Sequence, residues 1–326
     1  MVYRNKNIGI VVPAFNEEIL IGETLKSIPI YADKIYIIDD GSTDKTAEIA
    51  KKFMNNDPRF VCIIHKKNKG LGAAIITGYN KALEDGLDII AVMAGDNQMD
   101  PLNLPLLLDP IVDERSEYSK GNRLYSSEFR KGMSKWRFFG NAILTFLTKM
   151  ASGYWQLMDP QNGYTAISAA ALKRIDPDTI YPLYGYNSDI LVKLNVNGFR
   201  IIDIVMPARY GKEKSKIKYG RYMIKVSWLL LNNFMWRLKM KYIWISFNPL
   251  VIFYILGVAT TAIGFISEIY ILYSKLFLNE PFFSRGIVAL LLIIIGIQFL
   301  SFAMLFDMQA NSNLENLQIS RNSKLL

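Results

Sequence analysis

Histidine and cysteine are almost missing from this chain of 326 residues: Cys62 and His65 stand alone. A single cysteine rules out a disulfide within the chain and suits a reducing compartment. One histidine excludes a mechanism built on a histidine triad, and a zinc site of His and Cys ligands cannot be assembled. No secretory leader is visible, since "MVYRNKNIGIVVPAFNEE" has a short apolar run that meets Pro13 and two acids at once. Internal repeats and low-complexity tracts are lacking as well.

Charge is missing from two long stretches. Nothing between Pro249 and Ser267 is charged, and the apolar character continues past Glu268 to Tyr273. A second uncharged run extends from Gly286 to Phe306. Each is long enough to cross a hydrocarbon core of about 30 Å. A pair of buried core helices would give the same pattern, but two runs joined by a short loop with Pro281 fit membrane spans better. Acids are scarce just ahead of them. Between Arg209 and Lys241 stand ten Lys or Arg and only Glu213, so this segment carries +9, the whole net charge.

Basic residues immediately before a first span stay in the cytosol. The expected arrangement is a cytosolic N-terminal domain over 1–208, an interfacial segment over 209–247, two spans over 248–308 and a cytosolic tail over 309–326. Amphipathic helices are expected around Arg221 to Ile245. Trp228, Trp236 and Trp244 suit a lipid interface better than a nucleic-acid groove. The protein is therefore expected at a membrane, multi-pass, and in the cell membrane if the source is prokaryotic. No nucleic-acid partner is expected.

Within the N-terminal domain, short runs rich in β-branched residues alternate with helical periods. Ile8 to Val12, Lys34 to Ile38, Phe60 to Ile64 and Ile89 to Met93 read as strands. Glu18 to Ile28, Asp44 to Asn55 and Leu71 to Asp85 read as helices, as does Trp136 to Met150. "VNGFRIIDIVMPARY" reads as a late strand pair. The alternation predicts an α/β fold with a doubly wound, mostly parallel sheet. Ligands in such sheets bind at the carboxyl ends of the strands. The first, second and fourth strands are followed there by Pro13 to Glu17, Asp39 to Ser42 and Asp96 to Gln98.

"IVVPAFNEE", "IIDDGSTDKT", "NKGLGAAIITGY" and "AGDNQMDP", in this order and spacing, resemble family 2 glycosyltransferases of the GT-A fold. The similarity is to the branch of dolichol-phosphate mannose synthases and related polyprenyl-phosphate glycosyltransferases, and it covers roughly residues 6 to 220. It implies a nucleotide-sugar donor, a polyprenyl phosphate acceptor and a Mg2+ or Mn2+ ion. A homo-oligomer is compatible with it.

The resemblance also implies roles for residues. Pro13, Phe15, Asn16 and Glu17 would line the nucleoside site, with Phe15 where many relatives have Tyr. Asp39 and Asp40 form the acidic pair, and Asp40 matches the position that hydrogen-bonds the base. The pair would equally suit a capped turn, with Ser42 or Thr43 as cap. Asp96 and Gln98 match the second acid and the Gln of the metal motif, while Ala94 replaces its first acid. Oxygen donors of this kind suit Mg2+ or Mn2+ when phosphates and waters complete the shell. Gly95 would let the backbone approach the ligand. Arg123, Arg137, Arg209 and Lys216, with Lys214 as an alternative to Lys216, match the cations that neutralise phosphates.

"DPQNGYTAIS" resembles the acceptor-side loop, and Asp189 stands where an acid is often found near the acceptor. Asp189 is open to two readings, a general base or a helix cap. The function implied is inverting transfer of a sugar, GDP- or UDP-linked, to a polyprenyl phosphate. Two alternatives remain beside it: transfer to a hydroxyl of a lipid-linked glycan with Asp189 as base, and a degenerate nucleotide-binding module that recruits a partner.

Overall fold

The computed structural model describes residues 3–124, 135–207, 219–278 and 283–318, without the side chains of 135–139, 141, 219–222 and 315–318. Two compact units emerge, Met1–Phe234 with Asn313–Leu326, and Met235–Ser312.

The first unit is built on one sheet. β1 (Ile8–Ala14), β2 (Lys34–Asp39), β3 (Phe60–Ile64) and β4 (Ile89–Val92) are linked by α1 (Ile21–Ser27), α2 (Thr46–Asn56) and α3 (Leu71–Glu84). All neighbouring pairs among these strands are parallel. There follow α4 (Leu104–Val112), β5 (Tyr118–Asn122), α5 (Lys135–Ser152), β6 (Thr165–Ser168), α6 (Ala169–Ile175), α7 (Tyr186–Val196) and β7 (Ile201–Val205). β6 runs antiparallel between β4 and β5, and β7 is parallel to β5. With β8 (Glu315–Gln318) the order is β3-β2-β1-β4-β6-β5-β7-β8, a mostly parallel sheet as expected.

The strands read as unbroken apolar runs because both faces are covered. Ile8, Ile10, Val12, Ile35 and Ile37 pack with Ile21 and Leu25 of α1 and Leu104 and Leu107 of α4. Val11, Tyr36, Ile38, Ile90 and Val92 join Ile75 and Tyr79 of α3 and Ile190 of α7 in a second core. Pro13 is tolerated in a central strand because β1 pairs with β4 only as far as Val11 and Val92. Its missing N–H interrupts no rung of that ladder.

Two expectations need correction. "VNGFRIIDIVMPARY" yields one strand among the described residues, β7, not a pair. Gly198, at φ 72°, takes the left-handed conformation just past the end of α7 and opens no hairpin. The segment read as a tail contains β8, parallel to β7 from Ile201 with Glu315 to Ile204 with Gln318. "ENLQ" has a single apolar residue, so the open edge of β7, rather than its own pattern, makes it a strand.

α8 (Tyr219–Lys239) follows the basic segment. Its Val226 and Leu230 pack with Leu144 of α5 and Val192 of α7, whereas Ile224, Trp228 and Leu231 point outward.

The second unit is a hairpin of α9 (Leu250–Leu278) and α10 (Phe283–Asn311), preceded by a π-helical turn at Met240–Ile245. Small residues form the seam. Gly257 and Gly264 are matched by Ala289, Gly296 and Ala303, each seven residues apart along its helix. A Cβ on Gly296 would come within 2.6 Å of the Thr261 nitrogen, so the backbones approach as only small residues allow. Most other large apolar side chains of both helices face outward. Both helices are long and apolar enough to cross a membrane. Near its end α10 carries Asp307, fully buried and paired with Arg237 through two 2.8 Å hydrogen bonds.

Candidate active site

The loops after β1, β2 and β4 are fastened to one another. Asp40 N–H donates to the Ala14 oxygen at 2.9 Å, and Gly95 N–H to the Pro13 oxygen at 3.1 Å. Asn16, at φ 54°, takes the left-handed conformation that asparagine tolerates. Its N–H donates to Ser42 Oγ at 2.9 Å, and its Oδ1 accepts from Thr43 N–H at 2.8 Å. Glu17 N–H donates to Thr46 Oγ1 at 2.8 Å. Ser42 and Thr43 thus brace the first loop and do not cap α2, which begins at Thr46. Asp44 serves that turn instead, accepting from the Thr46 N–H and hydroxyl.

Asp39 and Asp40 are both buried, with different partners. Asp39 accepts from Ser42 N–H at 3.2 Å. Asp40 accepts from Lys69 N–H at 2.9 Å and Gly70 N–H at 2.8 Å, and lies 2.7 Å from His65 Nδ1. The other ring nitrogen of His65 lies 3.0 Å from Thr77 Oγ1. Asp40 and His65 therefore anchor the glycine-rich stretch that opens α3.

That stretch has a steric purpose. A Cβ on Gly72 would come within 2.4 Å of the Tyr181 oxygen, and one on Gly70 within 2.9 Å of the Pro182 oxygen. The glycines let residues 181–183 cross the start of α3 and deliver Tyr184. Burial, then the charges of Glu17, Asp40 and Asp96, raise the Tyr184 phenol above its ordinary pKa.

The loop after β4 is a tight turn. Ala94 N–H donates to Met99 Sδ at 3.2 Å, and Asp96 Oδ1 accepts from Gln98 N–H at 3.2 Å. Asn97, at φ 58°, reaches Glu23. Packing also favours Gly95, since a Cβ there would lie 2.8 Å from Ile21 Cδ1 and 3.3 Å from Ala14 Cβ. Among the described residues no three His, Cys, Asp or Glu side chains gather to hold a metal ion. Asp96 and Gln98 are nonetheless adjacent, half-buried and hard-oxygen donors, which suits a divalent ion completed by phosphates.

Arg123 follows β5 and is clasped by Asp159. Burial alone would raise the Asp159 carboxyl, but Arg123 and Lys120 hold it below the usual carboxylate range. Lys120 is itself buried, donating to the Asp159 main-chain oxygen and facing Asp203. Burial pushes Asp203 the other way, above the usual range, against the pull of Lys120. The Arg137 side chain, Arg209, Lys216 and Lys214 lie outside the described residues.

Asp189 sits in the first turn of α7, buried. Its carboxylate accepts from Tyr181 N–H at 2.9 Å, Asn233 Nδ2 at 2.9 Å and the Lys193 ammonium. Helix α7 starts at Tyr186 with Gly185 before it and no side-chain cap, so Asp189 is not the cap that was one of its two readings. It ties the preceding segment to α7 and α8.

The chain matches the description "Glycosyl transferase family 2" over residues 9–176. It belongs to glycosyl transferase family 2. It is 32% identical to the UDP-N-acetylglucosamine–dolichyl-phosphate N-acetylglucosaminyltransferase of Methanococcus voltae, over 63% of this chain and 87% of that protein. It is 26% identical to the undecaprenyl-phosphate 4-deoxy-4-formamido-L-arabinose transferase of Proteus mirabilis, over 91% of this chain and 86% of that one. Among solved structures, glucosyl-3-phosphoglycerate synthase from Mycobacterium tuberculosis superposes with a TM-score of 0.52 at 20% identity, covering 70% of this chain and 80% of that one. The last likeness concerns the GT-A fold alone.

His65, Tyr184 and Asp159 join this region without a motif that assigns them a role. His65 is distinguished in the sequence only as the single histidine. Tyr184 precedes Gly185, and Asp159 opens "DPQNG", but nothing local signals which atoms they face.

Proposed function

We propose that this family 2 enzyme transfers a sugar from a nucleotide-sugar to a polyprenyl phosphate at the cytosolic face of a membrane. The observation that carries the reading is a pairing within one chain. A family 2 sheet with its loops gathered at the ends of β1, β2 and β4 is joined to two helices long and apolar enough to span a bilayer. Apolar surface as extensive as that of α9 and α10 is not left in water by a soluble protein. Relatives named for dolichyl- and undecaprenyl-phosphate acceptors support the lipid. The outward face of α8, with Ile224, Trp228 and Leu231, suits contact with a lipid surface.

In this reading the acceptor phosphate oxygen forms a bond to the anomeric carbon as the bond to the nucleoside diphosphate breaks. One displacement inverts the centre. Phe15, Asn16, Glu17 and Asp40 would hold the nucleoside. Asp96 and Gln98 would hold the divalent ion usual in this family, which when bound supplies positive charge to the diphosphate. Arg123, with Arg137, Arg209 and Lys216, would neutralise phosphate oxygens and orient the two substrates. A phosphate monoester is already largely ionised at neutral pH, with a second pKa near 6. It needs orientation rather than a base, which accords with an Asp189 already engaged by three donors.

The experiment is direct. Purified protein in detergent is incubated with polyprenyl phosphate, Mg2+ or Mn2+ and a panel of UDP- and GDP-sugars, and lipid products are read by mass spectrometry. One glycosyl phosphate lipid is expected. Its absence with every donor, beside sugar transfer to a lipid-linked glycan, would replace this acceptor with the hydroxyl alternative.

A further inference from the structure

We propose that the side-chain oxygen of Asn187 accepts a hydrogen bond from the transferred sugar, through a ring hydroxyl or an acylamino N–H, and so helps select the sugar. This rests on the nucleotide-sugar reading above and deepens it.

Asn187 is the second residue of α7 and only 7% exposed. Its Nδ2 donates to the Gln161 main-chain oxygen at 3.5 Å, whereas its buried Oδ1 meets no partner. The neighbour decides which end is which. Turning the amide over would set Oδ1 against the Gln161 oxygen, two acceptors face to face. Buried polar atoms in folded chains are nearly always satisfied. Asparagine in a first helical turn ordinarily bonds a local main-chain group or faces water. This one does neither.

Its surroundings belong to the candidate site. Gln161 lies just beyond Asp159, whose carboxylate holds Arg123. A Cβ on Gly163 would lie 3.3 Å from the Tyr186 hydroxyl and 3.4 Å from the Met99 methyl. Met99 closes the Asp96 loop by accepting from Ala94 N–H. Asn187 thus sits where the Asp96 loop, the Asp159 loop and the start of α7 meet.

The missing partner has narrow chemistry. An amide oxygen accepts and cannot donate, so its complement carries O–H or N–H. The diphosphate and the ionised lipid phosphate offer acceptors. The base offers N–H groups, but its side of the site is that of Phe15 and Asp40. The sugar, with its hydroxyls and in some donors an acylamino group, is the part that fits.

The test is calorimetric binding by the purified full-length protein in detergent. UDP, GDP, UDP-glucose, UDP-N-acetylglucosamine and GDP-mannose are the probes. The sugar's contribution is the affinity for a sugar nucleotide divided by that for its nucleoside diphosphate. Asn187→Ala should lower this ratio roughly tenfold with nucleoside diphosphate affinity unchanged, beside a modest fall in Tm from loss of the Nδ2 bond to Gln161. Asn187→Ser, whose hydroxyl can accept, should recover part of it. A loss confined to UDP-N-acetylglucosamine identifies the acylamino N–H as donor; an equal loss with UDP-glucose identifies a ring hydroxyl. An unchanged ratio, or a fall in Tm as the sole effect, overturns the proposal and assigns Oδ1 to a buried water or to packing. If the unaltered protein binds none of the sugar nucleotides, the nucleotide-sugar reading itself falls, and this one with it.

Discussion

Asp159 clasps Arg123 at three points, accepting from its backbone N–H at 3.2 Å, its Nε at 2.8 Å and its Nη2 at 3.3 Å. The clasp fixes the guanidinium at the end of β5, and Asp159 is buried while Arg123 is partly exposed. Asp159→Asn keeps the shape but removes the charge that orients the fork. Turnover is expected to fall on the order of tenfold to a hundredfold, the usual cost of a misplaced positioning group. Activity of Asp159→Asn beside that of Arg123→Ala checks this, since the double variant should be no worse than Arg123→Ala alone.

The same pair sets an acid limit. The folded-state pKa of Asp159 lies below its ordinary value of 3.8, so the unfolded chain binds its proton more readily. Its contribution to stability is complete above pH 3.8 and is lost as the pH falls through the lower folded-state value. Thermal melts between about pH 2 and 5 should show a shallower acid decline in Asp159→Asn than in the unaltered protein.

Asp96→Ala should abolish transfer and leave the fold intact, because Asp96 is half-buried and its bond from Gln98 N–H closes a surface turn. Chelation with EDTA should have the same effect and be reversed by Mg2+ or Mn2+. Ala94→Asp should be tolerated, since Ala94 is half-buried and anchored through its N–H to Met99. Near-normal turnover of Asp96→Ala in the same metal would remove the ion assignment.

The sheet was legible because buried parallel strands leave continuous β-branched runs, and the ligand edge followed from where those strands end. The pairs that shape the site were not. Asp40 with His65, and Arg123 with Asp159, join residues 25 and 36 positions apart, and only the crossing of elements decides those contacts. Gly70 and Gly72 could be read as punctuation, but their purpose, passage of residues 181–183, lies more than a hundred residues downstream. β8 was invisible because an edge, not a composition, made it a strand.

Arg237 and Asp307 supply a stability prediction within the second unit. Neither is exposed, and Tyr242 and Asn311 add hydrogen bonds of 2.6 and 3.0 Å to the same carboxylate oxygen. Removing one partner of a buried, hydrogen-bonded ion pair leaves the other charge unpaired, at a cost of about 3–5 kcal/mol. Asp307→Ala should therefore lower the melting temperature in detergent far more than Ser301→Ala, whose exposed hydroxyl bonds Ile297 of its own helix. Equal effects would show that the pair is not what fastens this end of α10.

The acceptor is decided by ionisation. A phosphate acceptor arrives as a nucleophile, whereas a hydroxyl must lose its proton in or near the transition state. General-base assistance typically contributes about a hundredfold to ten-thousandfold. With a hydroxyl acceptor, Asp189→Asn should lower turnover by about that factor at unchanged substrate affinity. With a lipid phosphate, the substitution should instead loosen the links from Asp189 to Tyr181, Lys193 and Asn233. It would then show mainly as lower thermal stability, while Arg123→Ala, Arg137→Ala and Lys216→Ala cut turnover more deeply. The phosphate pattern is expected. Single-turnover rates with saturating donor, measured beside melting temperatures for all four variants, separate the two. A thousandfold loss of rate in a fully stable Asp189→Asn, with mild losses in the cation variants, would reverse the choice of acceptor.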